Sequence, residues 1–416
     1  MTFEQYLKSQ PTEGNDCMQQ YTVSKGDTLQ RIASRRGLIL DNIVNANPWS
    51  AQQPYLIPGQ ILFLPSSPRR RYEIQTGDSI ESVSAAFSVS EEGLEQLNPG
   101  ISRDRFPVGR TLVLPASESK YVVEPQGEYG YHDMLKDIQY LTSTYSCIKT
   151  TSIGESVLGK SLIMLQIGRG KRKIHVNAAL HANEWITTPT LLRFIEEYMS
   201  AYQKRERWNG YDPVVGLEEC TLWLLPMANP DGVELVQEGI TDKHPYYTQL
   251  LEWNNQRYDF KHWKANIQGI DLGDQFPAHW EEEVNRRGKQ RPSPRDYPGI
   301  SPLSEPEAIA LADFTLQISP DAVISLHSQG QEIYWNYRNH EPEESESWSR
   351  RLSQVSGYRA VKLTGSDAGY KDWFIQQFGR PGFTVEVGLG MNPLPLKDFH
   401  NISVEIGMIV AEMMTF

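Results

Sequence analysis

An internal duplication limits what this chain can fold into more than any other feature. Residues 21–65 and 72–115 match each other. One copy opens Tyr21-Thr22-Val23-Ser24-Lys25-Gly26-Asp27-Thr28-Leu29 and the other Tyr72-Glu73-Ile74-Gln75-Thr76-Gly77-Asp78-Ser79-Ile80. Both run through helical spacing to Asn47-Pro48 and Asn98-Pro99, then close on Ile61-Leu62-Phe63-Leu64-Pro65 and Thr111-Leu112-Val113-Leu114-Pro115. The alternating Tyr21 and Val23 predict a short strand, and Gly26-Asp27 a turn. Asp27 or Thr28 can cap the helix that carries Leu29, Ile32 and Ala33. A proline ends the closing strand. Each copy therefore predicts a βααβ unit around a very small core. Pro65-Ser66-Ser67-Pro68-Arg69-Arg70-Arg71 reads as a solvated linker between them.

The Gly-Asp-(Thr/Ser)-(Leu/Ile) opening, the Asn-Pro, and the proline and glycine before the last strand resemble lysin-motif (LysM) modules. The resemblance implies binding of N-acetylglucosamine-containing glycans such as peptidoglycan.

A length of 416 residues leaves room for a larger unit after the repeat. The net charge of −12 argues against nucleic acid or an anionic membrane surface as partner. Met1-Thr2-Phe3-Glu4-Gln5-Tyr6-Leu7-Lys8 lacks a basic stretch followed by an apolar one, which predicts cytoplasmic synthesis without Sec export. The apolar stretch 402–416 carries Glu405 and Glu412, so it reads as a docking helix and not a membrane span. Cys17, Cys147 and Cys220 are dispersed and odd in number, which suggests a reducing compartment.

From a polar junction at 116–130 onward, helices and strands alternate. Helices are expected at 131–145, 187–202 and 304–318, the last with Ser304 as N-cap. Strands are expected at 162–167, 174–180, 221–226, 321–326 and 382–387. This pattern predicts an α/β three-layer sandwich with a central mixed sheet over 130–416. Ligands of such sheets sit beyond the carboxyl ends of strands. His181 with Glu184, His327, and Glu386 all stand at such ends. Catalytic zinc takes three N/O ligands and leaves a position open. His181, Glu184 and His327 are the proposed ligands for one Zn²⁺ per chain, and Glu386 the general base. Neither His-Glu-x-x-His nor its inverted form is present. The remaining histidines, His262 among them, read as structural or exposed.

His181-Ala182-Asn183-Glu184-Trp185, Asn229-Pro230-Asp231-Gly232, Trp263-Lys264-Ala265-Asn266, Gly269-Ile270-Asp271-Leu272, Ser325-Leu326-His327-Ser328 and Phe383-Thr384-Val385-Glu386 together resemble the zinc carboxypeptidase family. The resemblance puts His181, Glu184 and His327 on zinc and makes Glu386 the base. Asn229 to Gly232 reads as a supporting turn. Lys264 stands where the family has a carbonyl-polarising arginine, and as a cation it could stabilise an oxyanion. The family's carboxylate-gripping Asn-Arg pair falls on Gly273 and Asp274, an arginine falls on Asn183, and its closing tyrosine falls near Thr364. Asp274 would repel a carboxylate and favour an ammonium group. Asp274, Asn183, Asn266 and Thr364 are the expected substrate contacts.

With two glycan-binding modules attached, the chain is similar to bacterial γ-D-glutamyl-L-diamino-acid endopeptidases, which cleave stem peptides between D-glutamate and diaminopimelate or lysine. That resemblance implies a muropeptide substrate and murein turnover inside the cell or in a spore-forming cell. Two alternatives stand beside it. One is a carboxypeptidase that removes C-terminal residues, with Asp274 selecting basic ones. The other is a non-catalytic wall- or spore-glycan-binding protein.

Overall fold

A computed structural model describes residues 18–35, 38, 40–53, 55–64, 71–74, 76–87, 91–113, 121–125 and 127–416. The readings made at 1–8, at Cys17, at the linker 65–70 and at the junction 116–120 lie outside these residues. The chain forms two compact units, Met1–Lys120 and Tyr121–Phe416.

Each repeat has the expected βααβ order. In the first, β1 (Gln19–Thr22) pairs antiparallel with β2 (Ile61–Leu64), with helices Leu29–Arg35 and Leu40–Ala46 between them. In the second, β3 (Arg71–Glu73) pairs antiparallel with β4 (Thr111–Val113), around helices Ile80–Phe87 and Glu91–Leu97. The cores are small, as so short a chain dictates: Val23, Ile32, Ala33, Ile43, Leu62 and Leu64 in one, Ile74, Ile80, Val83, Leu94, Ile101 and Leu112 in the other. The motif residues do structural work. Asn47 donates to the carbonyls of Ile43 and Phe63 and accepts from Phe63 N–H at 2.8 Å. Asn98 repeats this with Leu94 and Val113. One buried amide thereby ties the second helix to the closing strand, which compensates for a core too small to do so alone. Thr28 is the residue that caps, its hydroxyl accepting from Arg31 N–H.

The second unit is built on an eight-stranded mixed sheet. Its strands are β5 (Lys149–Glu155), β6 (Ser161–Gly168), β7 (Arg172–Ala178), β8 (Cys220–Leu225), β9 (Ala322–Ser328), β10 (Glu332–Tyr334), β11 (Arg359–Val361) and β12 (Gly382–Val387), ordered β11-β10-β12-β9-β7-β8-β6-β5. The four central strands β12, β9, β7 and β8 run parallel. β9 is buried along its whole length, as a central parallel strand must be. Helices pack around the sheet. On one side His175 of β7 donates to or accepts from Tyr370 Oη at 2.8 Å, in the core formed by helices Pro306–Ile318 and Tyr370–Phe378. Burial holds the His175 imidazole down at about 3, so it stays neutral and structural.

Three readings need correction. The unit begins at Tyr121 and not at residue 130, because Glu196 accepts from the backbone N–H groups of Val122 and Val123 and sews the junction onto helix Thr187–Lys204. Ser304 is not a cap: helix Pro306–Ile318 starts after Glu305, and the N–H groups of Ser304 and Glu305 donate to the Gln275 side chain instead. Asn229 to Gly232 is not a turn but the start of helix Pro230–Glu238, with Asn229 accepting from Gly232 N–H. The expected strands also missed β5, β10 and β11. Among the described residues, no helix is long and apolar enough to cross a membrane.

Candidate active site

The chain turns sharply as it leaves β7, with Ala179 at φ 49°. The Thr187 hydroxyl accepts from Ala179 N–H and donates to Glu184 C=O, closing the loop between strand and helix. Within that loop Ala182–Glu184 forms one 3₁₀ turn. Residues three apart on such a turn share a side, so His181 and Glu184 face each other, 3.0 Å apart. His327 near the end of β9 completes the cluster, its Nδ1 lying 3.0 Å from both His181 Nδ1 and Glu184 Oε2. The ligand atoms of all three lie within 4.8 Å of one another, and all three residues are buried. Glu386 pairs directly with His327 across the β12–β9 ladder, so their side chains leave the same face of the sheet.

Neighbouring charges act on each member of the cluster. Burial opposes a charged His181 ring, but Glu184 and Asp271 together outweigh it and raise that imidazole to about 9. Burial and the charged His181 push His327 the other way. Two imidazole nitrogens and a carboxylate lie together in this cluster. The arrangement fits a single metal ion with two nitrogen ligands and one oxygen ligand. Burial and the Glu184 carboxylate raise the Glu386 carboxyl to about 8.

Asp271 organises the surroundings of this cluster. Its Oδ1 lies 3.3 Å from His181 Nε2, the nitrogen turned away from the cluster. Its Oδ2 lies 2.7 Å from Lys264 Nζ and accepts from Asp296 N–H. Burial opposes ionisation of Asp271, but Lys264 and then His181 outweigh it and hold the carboxyl well below the usual carboxylate range. A carboxylate behind a metal-binding imidazole fixes its orientation and tautomer. Gly273 leaves the room for it: a Cβ there would lie 2.4 Å from His181 Nε2. Gly273→Ala should therefore turn the ring and weaken zinc binding by about 10–100-fold, the range seen for disturbed outer-shell contacts. Zinc competition against a coloured chelator measures this, and unchanged affinity would refute the steric argument.

A cleft of about 620 Å³ opens beside the cluster, lined by Asn183, Glu184 and Glu386 together with Arg295, Tyr334, Gln329 and His262. Of the expected substrate contacts only Asn183 lies here. Asp274 is buried and salt-bridged to Arg287 at 2.8 Å, so it offers no open anion. Asn266 is buried, donating to Glu305 Oε2 and accepting from Gln268 and Ile270 N–H, which shapes a turn. Thr364 is exposed in the segment after β11 and does not line the cleft. Lys264 is engaged with Asp271 and does not line it either. Sequence reasoning missed Arg295, Tyr334 and Gln329 and set His262 aside, since no periodicity or strand end marks them.

A match to the zinc carboxypeptidase family spans residues 134–399, and matches to the LysM domain span 21–65 and 72–115. The chain belongs to the zinc carboxypeptidase family. Gamma-D-glutamyl-L-diamino acid endopeptidase 1 of Lysinibacillus sphaericus is 45% identical over 291 residues, covering 70% of this chain and 73% of the relative. The protein YqgT of Bacillus subtilis (strain 168) is 40% identical over 284 residues, covering 67% and 75%. The fold is also that of bovine thrombin-activatable fibrinolysis inhibitor, with a TM-score of 0.56 at 21% identity over 70% of this chain and 97% of that one. This zinc carboxypeptidase-like chain is a zinc metallopeptidase carrying two LysM domains, and its His-Glu-His cluster suits one zinc ion.

Proposed function

We propose that this peptidase hydrolyses peptidoglycan stem peptides between γ-D-glutamate and the following diamino acid, held at its polymer by the LysM modules. What carries hydrolysis is the buried His181-Glu184-His327 cluster with Glu386 beside it on the neighbouring strand. What favours this bond is the extent of identity to the Lysinibacillus sphaericus endopeptidase, whose name specifies it. Asp274 is spent on Arg287, which removes the argument for a carboxypeptidase selecting basic C-terminal residues.

His181, Glu184 and His327 would hold the zinc, with Asp271 orienting His181. When bound, zinc acts as a Lewis acid that polarises the scissile carbonyl and eases loss of a proton from water. Glu386 takes that proton at a carboxylate oxygen facing the cleft and passes it to the leaving amine. Lys264 belongs to positioning, because its ammonium neutralises Asp271.

Mass spectrometry of L-Ala-γ-D-Glu-diaminopimelate and the corresponding tetrapeptide tests the reading. The expected result is chelator-sensitive release of L-Ala-D-Glu from both. Cleavage of the tripeptide alone would indicate an exopeptidase, and no cleavage would leave a glycan-binding protein. A linked module raises the local concentration of substrate without touching the chemistry. Removing residues 1–120 should therefore abolish sedimentation with insoluble peptidoglycan and leave turnover of the soluble tripeptide within a few-fold. Undiminished sedimentation would refute the tether.

A further inference from the structure

We infer that Arg295 binds the free α-carboxylate of the γ-linked D-glutamate and so selects the linkage; this rests on the stem-peptide reading above. A γ-linkage spends the side-chain carboxyl on the scissile amide and leaves the α-carboxyl ionised on the acyl side of the bond. An enzyme for that bond gains by supplying a cation there, and a guanidinium matches a carboxylate with two parallel hydrogen bonds.

Arg295 meets this need in three respects. It lines the cleft that also contains Glu184, Glu386 and Asn183, and among the residues lining it Arg295 is the sole lysine or arginine. Lys264, the cation expected from the sequence, is committed to Asp271. The Arg295 side chain is 58% exposed, and its ion pair with Asp296 is long at 3.6 Å. Asp296 is itself shared with Arg287 at 3.2 Å. The guanidinium is thus largely uncommitted.

Its backbone, by contrast, is held firmly. Pro294 C=O accepts from the N–H groups of Lys264 and Ala265, and Ser293 N–H donates to Gly269 C=O. Ser293 Oγ donates to Arg295 C=O, while Asp296 N–H donates to Asp271 Oδ2. Asp271 also orients His181. One carboxylate therefore sets both a zinc ligand and the segment presenting Arg295, so the backbone that carries the cation and the reacting centre keep a fixed relation. Fixed backbone with a free charged end is what substrate selection requires.

The test compares full-length, zinc-loaded wild type with Arg295→Gln and Arg295→Lys on three peptides: L-Ala-γ-D-Glu-diaminopimelate, its D-isoglutamine form, in which the α-carboxyl is an amide, and the form with lysine replacing diaminopimelate. Wild type should prefer the acid to the amide by about 30–100-fold in kcat/KM, the range of a charge-assisted pair. Arg295→Gln should lose that factor on the acid peptide and change little on the amide, erasing the preference. Arg295→Lys should recover part of it. The lysine peptide should show the same loss in Arg295→Gln as the diaminopimelate peptide. A loss confined to the diaminopimelate peptide would place Arg295 on the diamino acid and overturn the assignment. Arg295→Gln retaining the acid preference would overturn it as well. No cleavage of any peptide by wild type would instead overturn the stem-peptide reading. Equal losses on acid and amide would mark Arg295 as merely structural, again against the assignment.

Discussion

Glu386→Gln should lower kcat/KM on γ-D-glutamyl-diaminopimelate peptides by about 10²–10⁴-fold, the range for loss of a positioned general base. Zinc affinity should stay within a few-fold, because Glu386 is outside the ligand cluster. Glutamine keeps the shape and removes only the proton-accepting charge. The carboxyl lies at about 8, raised by burial and by Glu184. A dication at the cluster lowers a nearby carboxyl, since opposite charge favours the ionised form. The base must be ionised to act, so activity falls as pH drops through its pKa. The acid limb of kcat/KM in the zinc-loaded enzyme should therefore lie below about 8, and any residual activity of Glu386→Gln should lack it. Rate measurements across pH, with zinc content determined on the same samples, decide this. A variant that binds zinc and keeps more than a tenth of wild-type activity would remove Glu386 from the role.

Asp271→Ala should be the most damaging change to stability around the site. Asp271 is fully buried, and it neutralises a largely buried Lys264 while orienting His181. Removing one partner of a buried pair leaves an uncompensated charge, at a cost of about 3–5 kcal/mol. It also frees the His181 ring, which should weaken zinc binding by about 10–100-fold. The two effects can be separated. Adding Lys264→Met to Asp271→Ala removes the stranded cation, so urea denaturation of the metal-free double variant should recover much of the lost stability. Zinc affinity should stay low, because Asp271 then no longer orients His181. Recovery of both, or of neither, would show that Asp271 does not join the two functions.

Part of this could be read directly along the chain. The duplication was visible because a module of about 45 residues has little core, and its Gly-Asp, Asn-Pro and closing-strand positions are each needed to hold it together. Asn47 and Asn98 show the reason, since one side chain closes each module. The zinc cluster was legible because His181 and Glu184 share one turn and His327 stands near a strand end, as Glu386 beside it also does.

What the sequence could not show was how its charges would be paired. By itself it determined two small repeats, an α/β unit on a central mixed sheet, and a His-Glu-His cluster that suits one zinc ion, because hydrophobic periodicity and strand ends are local properties. Only the tertiary structure decided which polar residues remain free for substrate. Asp274 and Lys264 look available in a linear reading, yet the fold gives them to Arg287 and Asp271. Arg295 carries no motif, yet the backbone bonds of residues 293–296 to residues 264–271 place it in the cleft. The physical reason is that a buried charge must find a partner, and the partner is chosen by the fold, not by spacing along the chain.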